Sequence, residues 1–180
     1  MAQCGAVVSA MLPEPWLRGP VPGIHALLQP AAHAFQMARE DVTAAVAGLT
    51  PAQVWDTPGG VTSVGFHVAH LSGSTDRLLT YARGAALDER QRAALERERT
   101  LAQDRPPLDG LLAEWHAMVD RALAQLAATD PATLADPRTV GRAKLPSTVL
   151  GLLFHAAEHA SRHTGQIVTT SKMVRAFSNA

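Results

Sequence analysis

Residues Phe154-His155-Ala156-Ala157-Glu158-His159-Ala160-Ser161-Arg162-His163-Thr164-Gly165-Gln166 place three histidines four positions apart in an otherwise apolar helical pattern. In an α-helix, residues four apart are separated by about 40° around the axis and by about 6 Å along it. Two of these imidazoles can therefore converge on one ion. The stretch predicts a long helix that carries a two-point metal chelate.

A second group of histidines lies far away in the sequence, at His67 and His70. One helix cannot complete a tetrahedral or octahedral metal site, so a metal ion bound by the first group needs ligands from another segment. His67 and His70 belong to a second helical pattern and can supply them. The other three histidines stand alone, and we interpret them as ordinary structural residues: His25, His33 and His116.

The composition indicates one domain without a charged partner. The chain has 180 residues, enough for a continuous core. We interpret residues 1–180 as a single domain, with an extended or disordered lead-in at 1–21 and a helical bundle at 22–177. The 16 Lys and Arg residues balance 16 Asp and Glu residues. No excess of charge therefore favours nucleic acid or an anionic membrane surface, and we expect neither as a partner.

The N-terminal residues and the single cysteine indicate the cellular compartment of the protein. Residues 1–12 are apolar, but they lack a basic n-region and are too short to span a bilayer. We interpret them as a loose terminus rather than a signal peptide. The single cysteine, Cys4, excludes an internal disulfide and suits a reducing compartment. We therefore expect a cytoplasmic protein.

Four amphipathic segments predict the helices of the fold. Their apolar residues recur every three or four positions, and prolines, glycines or capping residues mark most of the ends. The predicted ranges are 24–48, with a disturbance near Pro30, then 62–83, 108–128, and a last helix from Pro146 or Ser147 to residue 177. A short turn of helix, capped by Thr50, follows the first range. No segment shows the alternation of a strand.

The segments between these helices differ in character. Residues 12–23 contain four prolines and predict an extended lead-in that Trp16 anchors to the body. Residues 85–106 are rich in Arg, Glu and Gln, which predicts an exposed helical or mobile crossover between the second and third helices. Residues 129–144 contain two prolines and a glycine and predict an irregular connection. Together the segments indicate an all-α four-helix bundle, in which metal sites form between facing helices.

The sequence pattern alone does not identify which histidines are the metal ligands. Zinc, nickel, iron and manganese all accept neutral imidazole, and three protein ligands would leave positions for water or substrate. Periodicity does not choose between His67 and His70. Glu158 points about 100° away from His159, so we interpret it as a surface or interface residue, and the alternative is a catalytic role as a general base or in orienting a histidine.

Charged side chains elsewhere have weaker claims to function. Arg138, Arg142 and Lys144 precede the fourth helix, whose N-terminus favours anions. A solvated basic loop is the simpler interpretation, and a site for a substrate carboxylate is the alternative. We interpret Asp76 and Arg77 as surface or helix-packing residues.

Both histidine segments resemble motifs of the DinB-like (DinB/YfiT) superfamily. The string His159-Ala160-Ser161-Arg162-His163-Thr164-Gly165-Gln166 resembles its HxxxHxGQ ending, and His70-Leu71-Ser72-Gly73-Ser74 resembles the HxxxS segment of its second helix. The order and separation of the helices agree over about 22–176. The resemblance implies an up-down-down-up bundle that holds a divalent metal with three histidines, one from the second helix and two from the fourth.

The resemblance also implies a role for each residue of the motifs. The implied metal ligands are His70, His159 and His163. Gln166 lies one turn beyond His163 and would support or line the site.

Three further positions follow from the same alignment of motifs. His67 and His155, each one turn back on its helix, become alternatives that line the pocket or hydrogen-bond a bound water. The arginine that commonly precedes Gly-Gln in the family is Thr164 in this chain, with Arg162 nearby.

The resemblance implies a metal-dependent enzyme, for which we expect zinc or nickel, with iron or manganese as alternatives. In this interpretation the metal activates a low-molecular-weight thiol, such as bacillithiol, mycothiol or glutathione, for transfer to, or isomerisation of, a small electrophile. A hydrolase that activates water would use the same open position. The alternative is a non-catalytic, stress-associated bundle that binds a metal or ligand. Members are often homodimers, and the apolar faces of the first and fourth helices would form the interface.

Overall fold

The computed structural model describes residues 13–177, so the predictions for residues 1–12, including Cys4, lie outside the described residues. Within this range the chain forms seven α-helices and one antiparallel hairpin: α1 (Gln29–Val46), α2 (Pro51–Trp55), α3 (Val64–Ala82), α4 (Glu89–Arg97), α5 (Leu101–Asp104), α6 (Leu108–Ala128), β1 (Pro137–Val140), β2 (Leu145–Thr148) and α7 (Val149–Phe177). Short 3-10 helices lie at Pro15–Leu17, Ala26–Leu28, Pro58–Gly60 and Pro131–Thr133. None of the helices between residues 13 and 177 combines the length and apolar character that a membrane span requires.

Four long helices, α1, α3, α6 and α7, form the bundle and correspond to the four predicted helices. Helices α6 and α7 each pack against both α1 and α3. The space between them is filled by apolar side chains, of which the largest fully buried ones are Trp115, Phe35, Leu28, Leu71, Leu126, Leu153 and Ile167. Removing this apolar surface from water is the main force that holds the helices together. The predicted all-α bundle is confirmed.

Contacts between helices define their directions. Two side-chain contacts show that α1 and α6 are antiparallel, because the residue numbers rise on one helix and fall on the other: Arg39–Asp120 and Thr43–His116. Two contacts show in the same way that α3 and α7 are antiparallel: His67–His163 and His70–His159. Near the ends of α7 and α1, Arg175 donates a hydrogen bond to the carbonyl oxygen of Ala45, so these two helices are parallel. The topology is therefore up-down-down-up, as the resemblance implied.

Several predicted helix ends are confirmed. Thr50 caps α2 by accepting a hydrogen bond from the backbone of Gln53, whose side chain accepts one from the backbone of Thr50. Helix α6 has the predicted bounds. Helix α3 ends at Ala82, and Gly84 beyond it takes a φ of +74°, a conformation that glycine adopts without strain.

Two predictions for the N-terminal part need correction. The first helix was predicted from residue 24, but α1 begins at Gln29 after a 3-10 helix at Ala26–Leu28, so the change of helix type lies beside Pro30, where a disturbance was predicted. Trp16 does not anchor the lead-in, because 55% of its surface is exposed. Pro15 is buried instead, and Arg18 forms a salt bridge with Glu40 of α1 at 2.6 Å.

The prediction that the chain contains no strand was also wrong. Strands β1 and β2 pair in antiparallel register, with Pro137 opposite Thr148 and Val140 opposite Leu145. Each strand has only four residues and includes a proline, so no alternating pattern could be recognised in the sequence. Residues 129–144 are therefore more regular than predicted.

The hairpin also moves the start of the fourth helix. Pro146 and Ser147 were the predicted first residues, but both belong to β2, so α7 begins at Val149. The hydroxyl of Thr148 caps it by accepting a hydrogen bond from the backbone of Gly151 at 3.0 Å.

The crossover between α3 and α6 contains α4 and α5, which confirms its predicted helical character. It is not fully exposed. Gln91 of α4 is buried, and its amide donates hydrogen bonds to the carboxylate of Asp76 and to the hydroxyl of Thr80, both at 2.8 Å. This packing places the first turn of α4 beside the C-terminal part of α3.

Candidate metal centre

Three histidines from two facing helices meet inside the bundle: His70 of α3, and His159 and His163 of α7. One ring nitrogen of each lies within 4.8 Å of the other two. The ring centroids of His159 and His163 are 4.5 Å apart, and those of His70 and His163 are 4.7 Å apart. We call this group the histidine cluster. In the part of the chain that the structure describes, it is the group whose geometry can hold a metal ion.

Local sequence places these rings. The four-residue interval puts His159 and His163 on one side of α7, next to fully buried Ala160. A small side chain at this position lets α7 approach its neighbours closely. On α3, the ring of Phe66 stacks on that of His70, with centroids 5.7 Å apart and planes 9° from parallel. Helix packing therefore orients all three imidazoles before any ion binds.

Glu98, at the end of α4, contacts the histidine cluster, and nothing in its sequence context distinguished it from neighbouring glutamates. Its Oε2 lies 2.9 Å from Nδ1 of His70, and its Oε1 accepts a hydrogen bond from Arg77 at 2.7 Å. Burial raises the pKa of Glu98, but the hydrogen bonds with His70 and Arg77 outweigh burial and hold that pKa below its ordinary value. Arg77 is thus a packing residue, one of its two predicted interpretations.

The other two rings of the cluster also have polar neighbours. Nδ1 of His159 lies 3.4 Å from the hydroxyl oxygen of Ser74. Nδ1 of His163 lies 3.1 Å from Nδ1 of His67, and Gln166 hydrogen-bonds with the His163 ring. The structure therefore places His67 and Gln166 in contact with the cluster, outside the set of three.

Burial favours the uncharged form of the two cluster histidines on α7. The pKa values of His159 and His163 are both lowered to about 4, first by burial and then by the neighbouring histidines. Burial also lowers the pKa of His67. Imidazoles with such pKa values are neutral at physiological pH and keep the lone pair that a metal ligand needs.

His155, the remaining predicted pocket residue, lies at the edge of the cluster, where its ring packs edge-to-face against that of His159 with centroids 5.7 Å apart. Its Nδ1 lies 3.2 Å from the carboxylate of Glu158, and about half of its side chain is exposed. Glu158 also forms a salt bridge with Arg162, one turn further along α7. Hydrogen bonding with Arg162 is the largest cause of the lowered pKa of Glu158. The surface interpretation of Glu158 agrees with this position.

The basic residues before α7 lie apart from the cluster. Arg138 donates a hydrogen bond to the carbonyl oxygen of Ala82 at 2.9 Å and so covers the end of α3. Arg142 and Lys144 line a cavity of about 550 Å³ together with Tyr81. Because Tyr81 is eleven residues after His70 on the same helix, that cavity is displaced from the cluster by about 16 Å along α3.

A groove of about 690 Å³ borders the cluster on the side of His67 and Gln166. Its wall carries polar groups from Arg162 and Thr169 and apolar surface from Met173. A small molecule bound in this groove would lie next to the His163 side of the cluster. The groove therefore reaches the cluster through His67 and Gln166, which both contact His163.

The donor set fits a divalent transition metal. Imidazole nitrogen is a ligand that zinc, nickel, iron and manganese accept, and these three rings are held from two rigid helices. Three protein ligands leave further coordination positions open, which is the pattern of catalytic rather than structural sites. The cluster can hold a metal ion, and the assignment of His70, His159 and His163 as its ligands is a prediction.

Sequence similarity identifies the family to which this chain belongs. No curated protein was found that matches this chain. The sequence model of the DinB superfamily matches residues 34–167. The matched range covers more than half of the chain and includes all three residues of the histidine cluster. This match confirms the resemblance seen in the motifs, and the chain belongs to the DinB superfamily.

Proposed function

We propose that this protein is a metal-dependent enzyme that activates a low-molecular-weight thiol for transfer to, or isomerisation of, a small electrophile. The observation that carries the proposal is the histidine cluster, in which one nitrogen of each ring lies within 4.8 Å of the other two. Among residues 13–177, three potential metal ligands converge there, so a fourth position would be free for an exogenous group. Membership of the DinB superfamily supports a histidine metal site.

His70, His159 and His163 would hold the ion, with zinc or nickel as the expected metals. When bound, a divalent ion lowers the pKa of a coordinated thiol, so that the nucleophilic thiolate exists near neutral pH. Glu98 and Ser74 contact the outward nitrogens of His70 and His159 and so restrict rotation of both rings.

The groove beside the cluster would bind the remainder of the thiol and the electrophile. Arg162 and Gln166 offer hydrogen-bond donors to a carboxylate or amide, and Met173 offers apolar surface. Low-molecular-weight thiols carry such polar groups several bonds away from the sulfur. Binding both reactants next to the cluster would convert their encounter into a reaction within one site.

Reconstitution of metal-stripped protein tests the proposal. The protein is loaded with zinc or nickel, and the loss of bacillithiol, mycothiol or glutathione is measured in the presence of a small chlorinated aromatic electrophile. We expect conjugation that requires both metal and protein and is lost in His159→Ala but kept in His116→Ala. His116 is a matched control because it contacts Thr43 of α1, on another side of the bundle.

The outcome separates the proposed enzyme from its alternatives. Stoichiometric metal without turnover of any thiol would contradict the proposal and favour a non-catalytic metal- or ligand-binding bundle. Metal-dependent ester hydrolysis without a thiol would instead favour a hydrolase.

We also propose that the protein acts as a homodimer through the face shared by α1 and α7. At the N-terminal end of this face, Leu27 of the 3-10 helix before α1 and Phe154 of α7 have 61% and 58% of their surface exposed. They border an apolar groove of about 470 Å³ that Leu150 also lines. Burying exposed apolar side chains of this size against a second copy would remove them from water.

A further inference from the structure

We propose that Glu98 is a positioning residue for His70. Its carboxylate, supplied by the crossover rather than by the bundle, holds one tautomer of the His70 ring and thereby directs the other nitrogen to the metal ion. This inference rests on the proposed metal-binding function of the histidine cluster. It adds a residue from a third helix to a site otherwise built from α3 and α7.

The hydrogen bond defines the tautomer. Oε2 of Glu98 lies 2.9 Å from Nδ1 of His70. An ionised carboxylate can only accept hydrogen bonds, so Nδ1 of the neutral ring must carry the hydrogen. The lone pair then lies on Nε2, the nitrogen on the far side of the ring from Glu98. Carboxylates that contact a metal-bound histidine in this way raise its basicity and fix its orientation.

Arg77 and Gly73 hold the carboxylate in place. Arg77 donates to Oε1 of Glu98 at 2.7 Å, and its own side chain is only 12% exposed. A Cβ atom at Gly73 would lie 2.6 Å from Oε1 of Glu98 and 2.9 Å from Nη1 of Arg77. Only glycine therefore leaves room for this ion pair without displacement. Positions 70, 73 and 77 share one face of α3 and together receive the glutamate.

A simpler role for Glu98 would be to fasten the crossover to α3 through Arg77. That role requires only Oε1. In the structure, however, the second oxygen contacts His70, and the glutamate side chain is 14% exposed. The two roles differ in a measurable way, because fastening the crossover has no effect on the tautomer of a histidine in the metal-free protein.

The test compares Glu98→Ala and Glu98→Gln with Glu96→Gln. Glu96 is a matched control because it lies on the same helix, is mostly exposed and pairs with Arg99. Nitrogen-15 NMR of histidine-labelled, metal-free protein reports the tautomer of His70, whose signal is assigned by its absence from His70→Asn. The measurement is made at about pH 8, above the ordinary histidine pKa of about 6.5.

We expect His70 to carry its hydrogen on Nδ1 in the wild type and in Glu96→Gln, and to lose this preference in Glu98→Ala. Zinc affinity, measured by competition with a chromophoric chelator, should fall by about 10- to 100-fold in Glu98→Ala. Glu98→Gln should show a smaller fall, because its amide oxygen can still accept from His70, while its uncharged NH2 group is a donor and no longer pairs with Arg77. Glu96→Gln should bind zinc like the wild type.

Two results would overturn the inference. The first is a His70 that carries its hydrogen on Nε2 in the wild type. The second is an unchanged tautomer and zinc affinity in Glu98→Gln, the nearly isosteric variant that decides the matter if Glu98→Ala does not fold. Failure of the wild type to bind zinc would instead contradict the proposed function, and the tautomer of His70 would still test its contact with Glu98.

Discussion

Nδ1 of His67 lies 3.1 Å from Nδ1 of His163. A hydrogen bond between two imidazole nitrogens needs one donor and one acceptor, so the two rings differ in their protonation at Nδ1. His67 therefore contacts the histidine cluster through one of its members. This places it beside His163 rather than as a further converging ligand.

That contact leads to a prediction about metal content. His70→Ala, His159→Ala and His163→Ala should each lose most of the bound zinc after dialysis, because two ligands cannot retain the ion against a buffer. His67→Ala should keep close to one zinc per chain, with affinity lowered by up to about 10-fold through the lost support of His163. Elemental analysis of the dialysed proteins measures both effects. Equal metal content in His159→Ala and the wild type would refute the ligand assignment.

The lowered pKa values of two histidines predict a pH dependence of stability in the metal-free protein. His159 and His163 have pKa values of about 4 in the folded state, against about 6.5 in an unfolded chain. Between these values the unfolded chain binds more protons, so the free energy of unfolding decreases as the pH falls from about 6.5 to about 4. Above about pH 6.5 both histidines are neutral in the folded and the unfolded chain, and the protein keeps the whole of this part of its free energy of unfolding.

Urea unfolding of the metal-free protein at a series of pH values measures this decrease. The double variant His159→Asn, His163→Asn lacks both groups and should show a flatter dependence between about pH 6.5 and pH 4. Parallel curves for the two proteins would contradict the assigned pKa values.

The space around two helix glycines predicts opposite effects for their substitution. A Cβ at Gly65 of α3 would lie 2.7 Å from ring atoms of Trp55, which is 7% exposed. Gly65→Ala should therefore destabilise the protein by about 1–3 kcal/mol through overpacking. A Cβ at Gly110 of α6 would meet no neighbouring element within 4 Å, so Gly110→Ala should stabilise by about 0.5–1 kcal/mol. Thermal unfolding of both variants checks the signs, and two effects of the same sign would contradict this packing.

The proposed dimer face predicts a change of oligomeric state. Phe154→Asp would place a charge on the apolar surface shared by α1 and α7, so we expect a monomer in sedimentation experiments. Phe177→Asp is a matched control, because Phe177 is 61% exposed, close to the 58% of Phe154, but lies at the opposite end of α7. A wild type that sediments as a monomer, or equal dissociation in both variants, would refute this interface.

Much of the fold could be predicted because the apolar residues of a long amphipathic helix recur every three or four positions. The bounds of α6 and the capped start of α2 follow from local spacing, prolines and hydrogen-bonding side chains near each end. The hairpin of β1 and β2 could not be predicted in the same way. Its four-residue strands are too short to show alternation, and their pairing depends on contact between two segments rather than on either one.

The spacing of His159 and His163 follows from the amino-acid order alone, because backbone geometry sets the distance between residues four apart on a helix. The family also follows from the sequence, through the motifs on α3 and α7. The contact between Glu98 and His70, which are 28 residues apart along the chain, is visible only in the folded protein. No local pattern encodes that contact, since it depends on how the crossover packs against α3 and on the space left by Gly73.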